Sequence, residues 1–277
     1  MKLYLKTKDY SFSNQEFELV LDESKDMLVT QPVPNNLEEF YQGENYISHT
    51  DSKKSMVDAL YQGIKERNIK NKIQLVDNQK VKSRKLLDIG AGTGDFLSLA
   101  KSEGYVVEGV EPSPKAREKA KEKGVELKKD LNEVAEVDYD VITLWHVLEH
   151  LPNLKVQIKT ISNILKDDGV LIIAVPNFRS WDAKHYGKFW AGYDVPRHLW
   201  HFSQMAIHKL FKEENMKVKE TKPMWFDAFY VSLLSEKYKG NRLYLFSAFF
   251  KGLWSNLHAV FTKEHSSLIY ILEKDQN

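Results

Sequence analysis

The stretch Lys85-Leu-Leu-Asp-Ile-Gly-Ala-Gly-Thr-Gly-Asp-Phe-Leu97 decides the fold of this chain. A short apolar run, Leu86 to Ile89, leads directly into three glycines at alternate positions, Gly90, Gly92 and Gly94. Apolar residues then recur at helical spacing from Phe96 onward, so the pattern predicts a buried strand, a tight turn and a helix. Glycines in such a turn allow positive φ and a close ligand approach, and the free N–H groups of the helix then point at that ligand.

The turn differs at one position from the glycine pattern of dinucleotide-binding folds. That pattern has a third glycine where this chain has Asp95, which disfavours a nicotinamide-dependent oxidoreductase. A second predicted strand, residues 105–110, ends on Glu111. An acidic residue at this place can accept hydrogen bonds from both hydroxyls of a ribose. The alternative for Glu111 is to cap the helix that begins near Ser113.

Strand and helix patterns alternate from Arg84 onward, apart from two interruptions that are described below. Strands are expected near residues 86–89, 106–110, 125–128, 140–145, 169–175, 217–221 and 267–272, with helices between them. This alternation predicts an α/β fold, a Rossmann-like doubly wound sheet of seven mostly parallel strands, over residues 81–277. Residues 1–80 are expected to be an extension, with a β-hairpin at 17–21 and 27–30 and a helix from about Asp51.

Two segments interrupt the alternation. Residues 178–203 are rich in Trp, Tyr, His and Arg, and so long a loop beside the strand ends is predicted to be a lid. Residues 224–262 are predicted to be an aromatic helical insertion. Six of its apolar residues recur at helical spacing, namely Leu243, Phe246, Phe250, Leu253, Leu257 and Phe261. This segment is too polar to span a bilayer, and a packed helix is favoured over an interfacial membrane helix.

Composition excludes several classes of protein. The 277 residues include 40 Lys and Arg against 39 Asp and Glu, so no basic field favours nucleic acid. The absence of cysteine excludes disulfides, thiolate metal sites and a cysteine nucleophile. The charged segment Met1 to Asp9 does not have the pattern of a signal peptide, so we expect a cytoplasmic protein. The oligomeric state is not predicted.

Four segments together resemble the class I S-adenosylmethionine-dependent methyltransferases, in particular the ubiquinone-type O-methyltransferases and the methyltransferase domain 23-like branch. In the order of the family they are LLDIGAGTGDFL, VEGVEPSP, Lys129-Asp130-Leu131 and YDVITLWHVLEHLPN. The resemblance implies an enzyme with S-adenosyl-L-methionine as cofactor and a small molecule as methyl acceptor. It is specific for the cofactor fold and says little about the acceptor.

The resemblance also implies a set of cofactor-binding residues. Asp88 is expected to hold the turn or the methionine amine, and Glu111 the ribose hydroxyls. Asp130 is expected to reach the adenine amino group, with Leu131 packed on the ring. The full predicted set is Asp88, Gly90, Ala91, Gly92, Thr93, Gly94, Glu111, Pro112, Asp130, Leu131 and Trp145.

Candidate catalytic residues follow the fourth strand of the predicted sheet or lie in the predicted lid. Methyl transfer to a hydroxyl gains from a base that titrates near neutral pH, most often His. We therefore expect His146 or His198 to take the proton of the acceptor. Arg197 is expected to orient the acceptor by binding a carboxylate or phosphate, while an ion pair with Asp194 is an open alternative.

Glu149 and His150 follow His146 by three and four residues, so on a helix all three side chains could share one face. In the ubiquinone-type enzymes a comparable acidic–His cluster is associated with a divalent metal. The equal alternative is that both side chains organise the loop by hydrogen bonds, and no metal ligand is assigned. Some relatives carry a zinc ribbon near the N-terminal hairpin, but this chain lacks the cysteines, so no metal is predicted there.

The absence of one sequence segment limits the choice of acceptor atom. Methyltransferases that act on amino groups of bases or glutamine resemble one another in an Asn/Asp-Pro-Pro-Tyr segment after the fourth strand, where this chain has Leu144-Trp-His-Val147. Oxygen of a small aromatic, quinone-like or sugar-derived molecule is therefore the favoured acceptor, followed by carbon. A cofactor-binding scaffold without catalysis is the alternative from outside the enzymes.

Overall fold

The computed structural model describes residues 1–41, 56–134 and 138–275, with the side chains of all of these except 56–65. The described residues form ten strands in two sheets. The strands are β1 (Lys2–Lys8), β2 (Glu16–Asp22), β3 (Met27–Gln31), β4 (Lys85–Ile89), β5 (Val106–Val110), β6 (Tyr139–Trp145), β7 (Leu165–Pro176), β8 (Trp200–Phe202), β9 (Met216–Pro223) and β10 (Ser267–Lys274).

The larger sheet has six strands in the order β5-β4-β6-β7-β10-β9, with β4 to β7 parallel and β10 antiparallel to both neighbours. The α/β class and the doubly wound arrangement are therefore confirmed. The predicted third strand, 125–128, was wrong as a full strand, because only Val110 and Lys128 pair. The chain turns away at once, since Asp130 accepts a hydrogen bond from the N–H of Asn132 at 2.8 Å.

The α-helices among the described residues are α1 (Met56–Asp77), α2 (Asp95–Ser102), α3 (Pro114–Glu122), α4 (Leu154–Ile164), α5 (Trp181–Tyr186), α6 (Gln204–Lys212), α7 (Asp227–Tyr238) and α8 (Tyr244–Thr262). Five of them cover the two faces of this sheet. Because strand side chains alternate, Leu87 packs with α4 and α6 on one face and Leu86 with α1, α2 and α3 on the other. The predicted helix start near Asp51 lies outside the described residues.

The smaller sheet joins the N-terminal extension to residues 178–203. Its order is β1-β2-β3-β8, and Val29 of β3 pairs with Trp200 of β8. The hairpin of β2 and β3 confirms the prediction, whereas β1 was missed because its alternating lysines read as a charged terminus. Residues 178–203 are not one continuous loop, since they contain α5 and β8. Trp190 and Tyr193 are buried against the hairpin, and opening of this segment as a lid stays a prediction.

The predicted helix of the aromatic insertion is confirmed as α8, but the prediction that its apolar stripe is packed was wrong. Phe246 is 73% and Phe261 87% exposed. The buried residues of α8 are instead small or polar, and a Cβ on Gly252 would lie 2.9 Å from the Cα of Phe229 in α7. Helical spacing identifies an apolar face but not the direction it points. No described helix is long and apolar enough to cross a membrane.

Candidate functional site

The glycine turn after β4 requires glycine for two separate reasons. A Cβ on Gly90 would lie 2.3 Å from Cγ2 of Val147, so the loop after β6 packs directly on the turn. Gly92 has open space at its Cβ position, but its φ is +54°, which strains other residues. Its backbone therefore faces an open space at the carboxyl end of the sheet, the edge at which α/β folds bind ligands.

Glu111 connects this turn to the loop after β5. Its Oε2 accepts a hydrogen bond from the N–H of Gly92 and its Oε1 one from the N–H of Ser113, both at 2.9 Å. Ser113 itself caps α3 by accepting a hydrogen bond from the N–H of Ala116. Helix capping is thus the role of Ser113. Since a carboxylate has about four acceptor sites, Glu111 retains the capacity to bind hydroxyl groups.

Asp88 lies buried near the end of β4, and its Oδ1 accepts a hydrogen bond from Oγ1 of Thr143 in β6 at 2.6 Å. Burial raises the pKa of Asp88 to about 7. The cation whose charge acts on Asp88 is Lys72 of α1. Its Nζ lies 4.5 Å from the centroid of a Trp145 ring. Removal from water lowers the pKa of Lys72 to about 8, although the Asp88 and Asp227 charges oppose this shift.

The remaining predicted cofactor residues lie on the same loops. The N–H of Ala91 donates to the carbonyl of Val110, and the carbonyl of Pro112 accepts from Arg117. The hydroxyl of Thr93 donates to Asp95, which also pairs with Lys123 at 2.8 Å. Leu131 is half-buried and packs on the apolar cluster of the α4 face. The chain therefore brings the ends of β4, β5 and β6 together, with Asp130 and Leu131 at the rim.

His146 directly follows β6 and has a φ of +58°. Its Nδ1 lies 3.5 Å from Oε1 of Glu149, and its Nε2 lies 3.1 Å from Oδ2 of Asp227 in the first turn of α7. Burial by itself lowers the pKa of His146, but the hydrogen bonds and charges of the two carboxylates raise it to about 10. His146 is thus a cation at neutral pH while Asp227 stays in place.

Glu149 is 1% exposed, and among the described residues its carboxylate forms one ion pair, between Oε1 and Nδ1 of His146, while Oε2 has no hydrogen-bond partner there. Burial by itself raises the pKa of Glu149, but the adjacent His146 lowers it, which keeps the carboxylate charged. His146, Glu149 and His150 do not share a helical face, because only Leu148–His150 form a short 3-10 turn. His150 instead turns away, and its Nδ1 donates to the carbonyl of Arg197 at 3.0 Å.

Glu149, His150 and His198 form the one described group of three side chains that could hold a metal ion, with ligand atoms within 4.8 Å of one another. The Nδ1 atoms of His150 and His198 donate to the carbonyls of Arg197 and Gly192, so Nε2 is the ring nitrogen of each that could face a metal ion. Histidines that bind metals usually donate their other N–H in this way. Burial also lowers the pKa of His150 to about 4, so its imidazole is neutral. Two imidazoles and the Oε2 atom of Glu149, which has no described partner, fit a divalent transition metal.

A methyltransferase-domain family model matches residues 61–221, which is more than half of the chain. The chain belongs to the class I S-adenosylmethionine-dependent methyltransferases. Its cofactor is therefore S-adenosylmethionine. Open α/β sheets bind ligands beyond the carboxyl ends of their strands, the edge at which Gly92 and Glu111 lie.

Curated relatives of this methyltransferase carry out O-methylation. The ubiquinone biosynthesis O-methyltransferase of Salmonella paratyphi A is 30% identical over 110 residues, which cover 35% of this chain and 46% of the relative. The enzyme of the same name from Rickettsia conorii is 26% identical over 157 residues, 51% of this chain and 54% of the relative. The chain thus spans about half the length of the curated relatives it matches.

A solved structure with a similar fold is the magnesium protoporphyrin IX methyltransferase from Synechocystis PCC 6803 with bound SAH. Its TM-score to the methyltransferase is 0.53 at 15% identity, over 86% of this chain and 92% of that chain. At this identity the likeness shows the fold alone.

Arg197 of the methyltransferase has no exposed face for an acceptor. It is 3% exposed, and its guanidinium donates to Asp194 at 2.6 and 2.9 Å, to Asp9 at 3.1 Å, to the carbonyl of Phe40 at 3.0 Å and to Ser11. The pairing with Asp194 that the sequence left open is therefore present. Arg197 joins the loop after β1 to the segment before β8.

Sequence analysis missed two groups of the site. Lys72 lies on a charged helix without a motif, and Asp227 lies in the insertion, far along the chain from His146. Each reaches the site only because its helix returns to the carboxyl edge of the sheet. No local pattern marks either residue.

Proposed function

We propose that the methyltransferase transfers a methyl group to a hydroxyl oxygen of a small aromatic, quinone-like or sugar-derived molecule. The observation that carries the proposal is the position of His146 between two carboxylates. The buried Glu149 lies at its Nδ1 and the half-buried Asp227 at its Nε2. A hydroxyl acceptor needs such a group, because its proton must leave as the oxygen attacks. The relatives named as O-methyltransferases support oxygen as the acceptor atom. A cytoplasmic location stays a prediction.

The cofactor-binding roles follow from the same edge of the sheet. Glu111 binds the ribose hydroxyls with its free acceptor sites, and Asp130 and Leu131 bind the adenine. Asp88 accepts from the methionine amine, beside Trp145. The position of Lys72 supports this last role. Its Nζ lies over the Trp145 ring, and its charge is stabilised by that of Asp88, so this corner accommodates a cation.

Removal of the acceptor proton requires one of the two carboxylates to leave its ring nitrogen of His146. Glu149 is buried and stays at Nδ1, which keeps the proton on that nitrogen and orients the ring. Asp227 is at the half-buried side, so the acceptor hydroxyl displaces it from Nε2. His146 then loses one of the two carboxylates that raise its pKa, and its Nε2 proton is released to water. Nε2 then takes the hydroxyl proton while the oxygen attacks the methyl carbon in line. Bound S-adenosylmethionine would supply this methyl group from its sulfonium, and breaking of the carbon–sulfur bond would leave a neutral thioether.

A divalent cation is compatible with this arrangement. Glu149, His150 and His198 would hold it, and it would polarise an acceptor oxygen as a Lewis acid. Oε1 of Glu149 faces His146, so Oε2 is the oxygen available to a cation. Metal analysis of the purified enzyme, followed by activity assays before and after dialysis against a chelator, decides whether the cation takes part.

The test is turnover against a panel of catechols, quinols and sugars, with His146→Gln compared to the wild type. We expect oxygen methylation, and a loss of about 10²- to 10⁴-fold in kcat in the variant, because a positioned base contributes this much. His198→Gln is measured beside it, because His198 is the other predicted base, and His208→Gln, at an exposed position of α6, is the control. SAH affinity should be unchanged in His146→Gln.

Three results would contradict the proposal. Equal turnover in His146→Gln would show that His146 is not the base, and a larger loss in His198→Gln would transfer the role to His198. Methylation only at carbon would assign the other acceptor atom. Tight cofactor binding without turnover on any compound would favour a scaffold.

A further inference from the structure

We propose that the α7–α8 hairpin docks this methyltransferase onto an anionic lipid surface. Of the 21 large apolar side chains that are exposed among the described residues, thirteen lie between Trp225 and Phe261. Helix α8 contributes a continuous set that includes Phe246, Phe249, Phe250, Trp254, Leu257 and Phe261. Exposed apolar patches of this kind on a folded domain mark contact surfaces. We call the exposed residues from Leu243 to Phe261 the docking face.

The burial pattern of helix α8 is the opposite of that of an ordinary surface helix. It buries the small residues Ala248, Gly252, Ser255 and Ala259 and exposes the large apolar ones. The small residues let α7 approach so closely that any side chain at position 252 would collide with Phe229. Small residues between helices, with large apolar side chains outward, are typical of helices that face lipid.

The charges around the docking face favour anionic headgroups. Residues Tyr244–Thr262 contain no acidic residue. The surrounding cations are Lys237, Lys239 and Arg242 before α8, Lys251 within it and Lys263 after it, and none forms a salt bridge with a described residue. The two acids of α7 point inward, since Asp227 contacts His146 and Glu236 is buried against Tyr186. An apolar helix face with flanking cations is the pattern of interfacial helices on anionic membranes.

A second copy of the chain fits this face less well. A two-fold contact would place each patch against itself, so the flanking lysines and arginine would meet with no acid of the face between them. A spanning helix is also disfavoured, because α8 carries Lys251, Asn256 and His258. The helix is therefore expected to lie in the plane of the headgroups.

Helix α8 contacts the segment that leads to the candidate site, since Nδ2 of Asn256 donates to the carbonyl of Trp225 at 2.8 Å. Trp225 and Phe226 are exposed and directly precede Asp227, whose carboxylate contacts Nε2 of His146. Docking would bring this segment to the lipid surface. The inference rests on the exposed face and its charges, and it does not depend on the proposed acceptor.

The test is co-sedimentation of the full chain with vesicles of phosphatidylcholine alone or mixed with phosphatidylglycerol. We expect binding to the anionic vesicles that weakens as salt is added, and a blue shift of tryptophan fluorescence. The variant Phe246→Ser/Phe250→Ser/Phe261→Ser should bind at least about tenfold more weakly, because three apolar rings no longer leave water. The control Val106→Ser/Val156→Ser/Met205→Ser removes equally exposed apolar side chains elsewhere and should bind like the wild type.

A second variant, Lys237→Gln/Lys239→Gln/Arg242→Gln, leaves the apolar residues in place and should lose the preference for anionic vesicles. All substituted side chains are solvent-facing, so an unchanged melting temperature identifies variants that still fold. Failure of the wild type to bind either vesicle, or unchanged binding in both variants, would overturn the proposal. A dimer in light scattering that the Phe variant abolishes would assign the face to a second copy. Loss of vesicle binding with turnover on a water-soluble acceptor intact would separate this proposal from the proposed function.

Discussion

Replacing Arg197 by methionine should destabilise the methyltransferase and leave its cofactor site intact. The guanidinium is enclosed and donates to two carboxylates, Asp194 and Asp9, as well as to Ser11 and a backbone carbonyl. Methionine fills much of the same volume, so the loss is mainly electrostatic. Removing one partner of a buried ion pair typically costs about 3–5 kcal/mol, because the other charge stays buried without compensation.

This free energy corresponds to a large change in melting temperature. For a chain of this size, 1 kcal/mol shifts Tm by about 2–4 °C, so a decrease of about 6–20 °C is expected. The lower half of this range is more consistent with the structure, because Asp9 keeps hydrogen bonds from Ser11 and Ser13.

The variant should also be more sensitive to acid. Burial by itself raises the pKa of Asp194, but Arg197 lowers it below its usual value. The ion pair therefore stabilises the fold at pH values above that usual pKa. This contribution is lost as the pH falls through the lowered pKa of Asp194. Without Arg197 the carboxyl takes up its proton at higher pH. The pH at which the variant unfolds in acid should therefore be higher than in the wild type.

Scanning calorimetry between pH 3 and 8 measures both effects, and titration with SAH measures the cofactor site. Arg84→Met is the matched control, since Arg84 is half-exposed, lies over the Tyr105 ring and pairs with Asp77 at 2.8 Å, and an exposed ion pair of this type is worth at most about 1 kcal/mol. The reasoning is refuted if Arg197→Met melts like the wild type while KM for the acceptor rises. That outcome would restore the role in acceptor binding that the sequence predicted.

Three further predictions concern the site. Glu111→Ala should weaken S-adenosylmethionine binding by about 1–3 kcal/mol in calorimetric titration, since ribose hydroxyls lose their acceptor, and an unchanged affinity would contradict the assignment. Asp227→Asn removes one of the carboxylates that raise the pKa of His146 to about 10. The acidic limb of the pH profile of kcat/KM should therefore move to lower pH, by at least about one unit. A limb that stays in place would exclude His146 as the titrating base. Residues 178–203 should exchange amide hydrogens faster than the central sheet without ligands and become protected with cofactor and acceptor bound, whereas equal protection in both states would argue against a lid.

The central part of the fold could be predicted because its signals are local. The strand, the glycine turn and the first turn of α2 are encoded between Lys85 and Leu97, and Glu111 follows at the end of the next strand. The segment 125–128 shows the limit of such signals. Its apolar residues have strand character, but the length of a strand depends on how far its neighbour stays alongside, and here the turn at Asp130 ends the pairing.

The direction of α8 could not be read from its spacing. Periodicity placed Phe246, Phe250 and Phe261 on one side of a helix, and they do lie on one side, but it is the outward one. The inward side is set by Gly252 and its small neighbours, because the backbone of α7 approaches there. A spacing pattern contains no information about which partner a face meets.

The sequence by itself determined the cofactor class, through its resemblance to the methyltransferases. It also determined which edge of the sheet carries the candidate site, since turn glycines, strand ends and the position of His146 follow from residues a few places apart. Only the tertiary structure decided what surrounds His146 and Arg197. Asp227 and Lys72 reach the site from helices remote in sequence, and Asp9 reaches Arg197 from the first residues of the chain. The pKa of an imidazole and the accessibility of a guanidinium depend on charges within a few ångströms, and those distances exist only once the chain has folded.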